Sequence, residues 1–131
     1  MSTDTILGRL ELLALIGIGG FAGSNLRYFT LGVLPDELAL LVVNVLGSTV
    51  LGFLVYEAQY TGFVDRKSRI VFTTGFLSSL TTYSGFAFQT ATAADPLALG
   101  GIVVGNYALG FAGVLVGRQV ARITRKRGDR S

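Results

Sequence analysis

The chain has no cysteine and no histidine, only two prolines, and charge on only 15% of its residues. Without cysteine there is no disulfide framework and no thiolate nucleophile, and without histidine there is neither imidazole acid–base catalysis nor an imidazole metal site. The redox compartment is therefore unreadable from composition. The shortage of charge points away from a water-facing surface: 50% of the 131 residues are hydrophobic, 18 are glycine and mean hydropathy is +0.59. Such a balance belongs to a small all-α integral membrane protein with a single domain over residues 1–131.

A helix needs about 20 apolar residues to cross a hydrocarbon core of roughly 30 Å. Segments of that kind fall at residues 10–31, 38–58, 70–94 and 97–117. They leave no room for a soluble catalytic domain. The first run is too long for the apolar region of a signal peptide and further spans follow it, so it is expected to be retained. Between the spans lie a turn at Pro35, Asp36 and Glu37, a charged loop at Asp65, Arg66, Lys67 and Arg69, and a tight turn at Asp95 and Pro96.

The basic residues fix an orientation. Arg9, the loop residues Arg66, Lys67 and Arg69, and the tail residues Arg118, Arg122, Arg125, Lys126, Arg127 and Arg130 all fall on one side, ten in number, against Arg27 alone on the other. By the positive-inside rule both termini are cytoplasmic, and the protein is a multi-pass protein of the cell membrane. The tail at 118–131 also makes a local positive field able to meet anionic lipid; it is read as a topology signal rather than a nucleic-acid surface.

Small residues recur at helical spacing. Gly19 with Gly23, Gly20 with Ser24, Gly101 with Gly105, and Gly113 with Gly117 are each four apart, which predicts faces where backbones approach closely. The GIGGFAG stretch misses the spacing of a nucleotide-binding loop and lies inside a hydrophobic span. On the second span, Asn44, Ser48 and Gly52 share one face. Two roles are open to Asn44: interhelical glue, or a donor offered to an anion. Arg27 either snorkels to the headgroups or draws anions to a vestibule.

In the third span, Ser78, Ser79, Thr81, Thr82 and Ser84 sit midway along an apolar run. Hydroxyls and small residues at that depth predict a helix interrupted near mid-membrane, where freed backbone groups must line a cavity or find partners in protein. Tyr83 and Phe86, three apart, share a face just beyond that interruption. They either pack in the core or present their positive ring edges to a small anion.

The segments GGFAGSNLRY at 19–28, VNVLGSTVLGF at 43–53 and GFLSSLTTYSGF at 75–86 resemble, in order and separation, the three motifs of the Fluc/CrcB fluoride ion channel family. The resemblance spans nearly the whole chain. It implies an antiparallel dimer of small four-span subunits whose two pores let fluoride leave the cytoplasm passively and so lower its toxicity. It also implies a structural sodium ion (Na+) at the dimer interface. Matched residue by residue, Arg27 takes the vestibule position, Asn44 and Ser48 line the pore, Tyr83 and Phe86 face fluoride, and Ser84 takes a motif serine position. Tyr107 resembles a tyrosine near the pore, and backbone carbonyls of Ser78 and Thr81 would hold the sodium ion.

Some residues depart from that pattern. Tyr83 stands where the family has phenylalanine, Ser78 and Ser79 where glycines are common, Gly85 where threonine is usual, and Phe111 where a hydroxyl is expected. Members that form antiparallel homodimers insert both ways and need balanced Lys/Arg, whereas this chain is strongly biased. It is therefore expected to pair with an oppositely oriented homologous subunit, with one pore face degraded. A non-conducting structural partner subunit is the main alternative. A small proton-coupled multidrug exporter needs a carboxylate within the membrane, and the nearest candidates, Glu11 and Glu57, lie at span ends. An enzyme is excluded because no nucleophile, base and orienting group can be assembled.

Overall fold

In the computed structural model, residues 5–128 are described, and every regular element among them is helical. Arg130, counted above with the basic tail, lies outside the described residues. Three helices are long and apolar enough to cross a membrane: α1 (Ile6–Val33), α2 (Asp36–Tyr60) and α6 (Pro96–Gly128). Between α2 and α6 run the short α3 (Arg66–Ile70), a π-helical segment (Val71–Leu77), the single turn α4 (Ser78–Leu80) and α5 (Tyr83–Ala91).

Local chemistry sets these boundaries. The Thr5 hydroxyl accepts from Gly8 N–H and caps α1. At its other end Leu34 precedes Pro35 and takes an extended conformation, φ −111° and ψ 155°, because the proline ring excludes the helical one. Asp36 and Glu37 occupy the first turn of α2, where the helix dipole favours negative charge. Asp65 caps α3, and hydrogen bonds from the Ser68 side chain and backbone hold its carboxyl below the usual carboxylate range. Pro96 opens α6, where its missing N–H costs nothing, and Asp95 Oδ1 accepts from Ala98 N–H at 2.7 Å.

Helical structure stops at Thr81, φ −82° and ψ 155°, and Thr82, φ −148° and ψ 117°, before α5 begins. The serines in place of glycines carry no backbone strain: Ser78 is right-handed helical, and the positive-φ residue among those described is Gly62.

Glycine faces hold the bundle together. A Cβ on Gly23 would overlap the Phe76 carbonyl oxygen, and one on Gly75 would stand 2.6 Å from that of Ile16, so α1 and the π-helical segment meet backbone to backbone. In the same way a Cβ on Gly52 would lie 2.7 Å from Val114 O, and one on Gly113 2.7 Å from Thr49 Oγ1, closing α2 on α6. Gly101 and Gly105 do not follow the expectation, since nothing lies within 4 Å of a Cβ at either. Among the described residues that face makes no close backbone contact.

The core is thin. Val43, Leu54, Leu77 and Leu80 form its buried cluster, while Phe21, Tyr28, Phe88 and Leu97 are exposed. That inversion fits a chain whose outer solvent is hydrocarbon.

The basic end is tied by charge. Glu57, 2% exposed, accepts from Arg69 at 2.8 Å and from Thr61 at 2.9 Å, and Lys67 pairs with Glu11. The α6 helix runs on past residue 117 to Gly128, carrying most of the basic tail as helix, with Arg118 over the Tyr56 ring at 5.3 Å and Arg125 over Tyr60 at 5.5 Å.

Candidate functional site

A cavity of about 420 Å³ lies where α2, the Thr81–Thr82 interruption, α5 and α6 converge. Its lining includes Asn44, Ser48, Ser78, Thr81, Tyr83, Phe86 and Tyr107, which draws seven of the predicted site residues into one place. Arg27 and Ser84 stand apart from it. Arg27 is half-buried on α1 and makes neither ion pair nor hydrogen bond among the described residues. Ser84 is exposed, and its hydroxyl pairs with that of Thr82 at 3.1 Å.

The interruption owes its shape to Asn44. Its Oδ1 accepts from Thr82 N–H at 2.9 Å, and its Nδ2 donates weakly to the Thr82 carbonyl at 3.4 Å. Of the two roles open to Asn44, the interhelical bond is thus made, and it takes one lone pair of the oxygen. A second N–H remains as a donor the amide can offer the cavity. Gly47 admits the loop, for a Cβ there would overlap Thr81 Cγ2. Thr82 in turn caps α5 by accepting from Gly85 N–H at 3.1 Å.

The same clamp releases backbone oxygens. In an unbroken helix Thr82 N–H would serve the Ser78 carbonyl; here it goes to Asn44. The Thr81 carbonyl likewise has no backbone donor, since Gly85 N–H goes to the Thr82 hydroxyl. Freed carbonyl oxygens are the ligands that a hard alkali cation takes. The freed carbonyls of Ser78 and Thr81 are thus oxygen donors of the kind that sodium takes. No group of three or more acidic, His or Cys side chains able to hold a metal occurs among the described residues.

Aromatic rings form one wall. Tyr83 and Phe86 lie 5.9 Å apart between centroids, and Phe86 meets Tyr107 edge to face at 5.8 Å and 84°. Ser48 also lines the cavity, and its hydroxyl has no hydrogen bond among the described residues. A ring edge, a free hydroxyl and an amide N–H are all partial positive charges. These groups suit a small anion or water.

The departures now have places. Tyr83 is 76% exposed, so its extra hydroxyl need not be buried. A Cβ on Gly85 would press within 2.9 Å of Thr82 Cγ2 and 3.0 Å of Leu40, so glycine fills that site. Phe111, 68% exposed, lies on the outer face of α6 and off the cavity.

Sequence reasoning did not single out Asn106, which also lines the cavity. The signal was present as a lone amide midway along the apolar α6, a position where a polar side chain is costly. The pairing of Thr82 with Asn44 was not foreseen.

The model of the family described as "CrcB-like protein, Camphor Resistance (CrcB)" matches residues 14–118. The chain is 50% identical over 114 residues to "Fluoride-specific ion channel FluC 1" of Haloarcula marismortui, covering 87% of this chain and 88% of that protein. It is 46% identical over 118 residues to "Fluoride-specific ion channel FluC 2" of Halobacterium salinarum, covering 89% and 90%. Against "Fluoride-specific ion channel FluC 2" of Methanosarcina mazei it is 39% identical over 118 residues, covering 90% and 93%. With its apolar helices and a family match over most of its length, this chain belongs to the CrcB family of multi-pass membrane proteins.

Proposed function

We propose that the chain is a subunit of a fluoride-selective channel that lets the anion leave the cytoplasm passively. One observation carries this reading: the cavity brings together an Asn44 N–H, the Ser48 hydroxyl and the rings of Tyr83, Phe86 and Tyr107, groups that a small anion can meet. The relatives named as fluoride-specific channels support the choice of ion.

Hydrogen fluoride enters as a weak acid and ionises inside. The negative interior then drives the anion out, so no coupling site is needed. Arg27 raises the local anion concentration at a vestibule. Asn44 and Ser48 replace part of the hydration shell, and Tyr83, Phe86 and Tyr107 line the narrow path. The third span is read as one helix broken near mid-membrane by Thr81 and Thr82. Ser84 acts indirectly, by holding the Thr82 hydroxyl. The carbonyls of Ser78 and Thr81 would hold a sodium ion with those of a second subunit, and the ion supplies positive charge where helix ends carry negative dipole.

The assembly is an antiparallel pair. With ten basic residues on one side and one on the other, this chain inserts one way, both termini cytoplasmic, so the opposite subunit is a distinct homologous chain. Relatives numbered FluC 1 and FluC 2 fit a two-chain assembly. A proton-coupled exporter is disfavoured, because Glu57 and Glu11 are both held in ion pairs with basic residues.

The test is fluoride accumulation in cells without fluoride export of their own, read with a fluoride electrode. Expression of this chain with a reversed-charge homologue lowers internal fluoride to the level set by the membrane potential. Unchanged accumulation despite membrane-inserted protein would overturn the reading.

A further inference from the structure

Tyr56 and Tyr60 stand one turn apart at the basic end of α2, with ring centroids 5.9 Å from each other. Beside them the glycine contact between α2 and α6 ends: a Cβ on Gly117 would overlap Thr49 and Phe53 backbone atoms, and the next residue of α6 is Arg118. Arg118, Arg122 and Arg125 follow at helical spacing and share a face. The close seam thus opens into rings on one helix and guanidiniums on the other.

The rings hold the cations by their faces. Arg118 lies over Tyr56 at 5.3 Å and Arg125 over Tyr60 at 5.5 Å, while Arg118 and Arg122 flank the Tyr60 hydroxyl. A guanidinium held against a ring face keeps the N–H groups along its rim for an oxygen acceptor. For Arg118 these are the terminal ones, because its Nε is buried. Among the described residues the ion pairs are Lys67 with Glu11 and Arg69 with Glu57, and Glu57, the acid nearest these rings in sequence, is buried in its own pair. Three positive charges therefore lie along about 10 Å of helix with no carboxylate partner among the described residues.

The depth of the cluster says what completes it. The 33 residues of α6 make about 50 Å of helix, roughly 20 Å more than a hydrocarbon core needs. Leu115 and Val116, both exposed, end the apolar stretch, and Arg118 opens the charged one at the level where headgroup phosphates lie. A nucleic acid fits less well, since its bases would stack on ring faces that Arg118 and Arg125 already cover.

We propose that Arg118, Arg122 and Arg125, backed by Tyr56 and Tyr60, form a binding site for the phosphate of an anionic phospholipid at the end of the α2–α6 seam. Guanidinium forks can take two phosphate oxygens at once, and the rings hold two of them in place before the lipid arrives. The site is independent of which ion the pore carries.

The test is titration of the full chain in detergent with phosphatidylglycerol, phosphatidylcholine or inorganic phosphate, bound lipid being counted by native mass spectrometry. The parent is expected to bind phosphatidylglycerol at least about tenfold more tightly than phosphatidylcholine. Arg118→Gln combined with Arg122→Gln is expected to weaken that binding by about tenfold or more, the range for losing one hydrogen bond to a charged group. Arg66→Gln combined with Arg127→Gln removes equal charge from a loop and from the opposite face of α6, and is expected to stay within about twofold of the parent. Thermal unfolding without lipid checks that each variant is folded; should the Arg118 variant not fold, Arg122→Gln alone is compared with Arg127→Gln alone. Equal weakening by substitutions inside and outside the cluster would reduce it to a diffuse positive field and overturn the inference. A parent that binds both lipids alike overturns it too, as does displacement of phosphatidylglycerol by an equal concentration of inorganic phosphate, which would make this a site for the free ion.

Discussion

Asn44 gives one lone pair of its amide oxygen to Thr82 N–H and keeps a donor for the cavity, so clamp and pore contact can be separated by one substitution. Asn44→Asp preserves the accepting oxygen, replaces the free N–H with negative charge and gives up only the weak 3.4 Å donation to the Thr82 carbonyl. The variant is expected to fold while fluoride release falls by about tenfold to a hundredfold, the range for losing one hydrogen bond to a charged group. Thermal unfolding beside liposome flux checks both halves, and loss of the fold would mean that the clamp alone explains the residue. Spacing had marked Asn44 as polar and inward but left its role open, because its partner lies 38 positions away and only the fold brings Thr82 to it. Asn106 was missed for a related reason. A lone amide between Gly105 and Tyr107 has no neighbour in sequence that reveals the cavity it lines.

At the scale of elements, backbone-to-backbone contact replaces the usual large core. Gly23 is the tightest point between α1 and the interrupted stretch, so Gly23→Val is expected to cost several kcal/mol, or about 1–3 at the least for an overpacked site, and to lower the unfolding temperature in detergent. A variant as stable as the parent would contradict that packing. The spacing of Gly19 with Gly23 and of Gly113 with Gly117 made these faces legible, since a four-residue period of small side chains has few other uses in an apolar helix. The same pattern at Gly101 and Gly105 gave no contact within the subunit, which periodicity cannot distinguish from an internal face. The buried pair of Glu57 and Arg69 was illegible, as Glu57 reads as a span-end acid until the chain turns at Gly62 and returns Arg69 to it. Glu57→Ala leaves that guanidinium unpaired, and a loss of about 3 kcal/mol in unfolding free energy is expected; a change below the error of the measurement would show that solvent already compensates Arg69.

For the whole molecule, the charge bias predicts how the chain sits in the membrane and, from that, what it pairs with. All ten basic residues of one side, including the helical extension of α6, are expected on the cytoplasmic face. Tags at the two termini should be inaccessible from outside intact cells, and equal labelling from both sides would defeat the requirement for a distinct, oppositely oriented subunit. Family membership was legible in three motifs, whereas the assembly is not contained in one chain: the exposed apolar faces at Phe21, Tyr28 and Phe88 have no partner within it. The measurement that bears most directly on the account is anion release from liposomes holding the complex, with potassium ionophore added to set the potential and electrodes for fluoride and chloride. Fast fluoride release with chloride retained is the predicted result; release of both anions alike, or of neither from a folded complex, would contradict it.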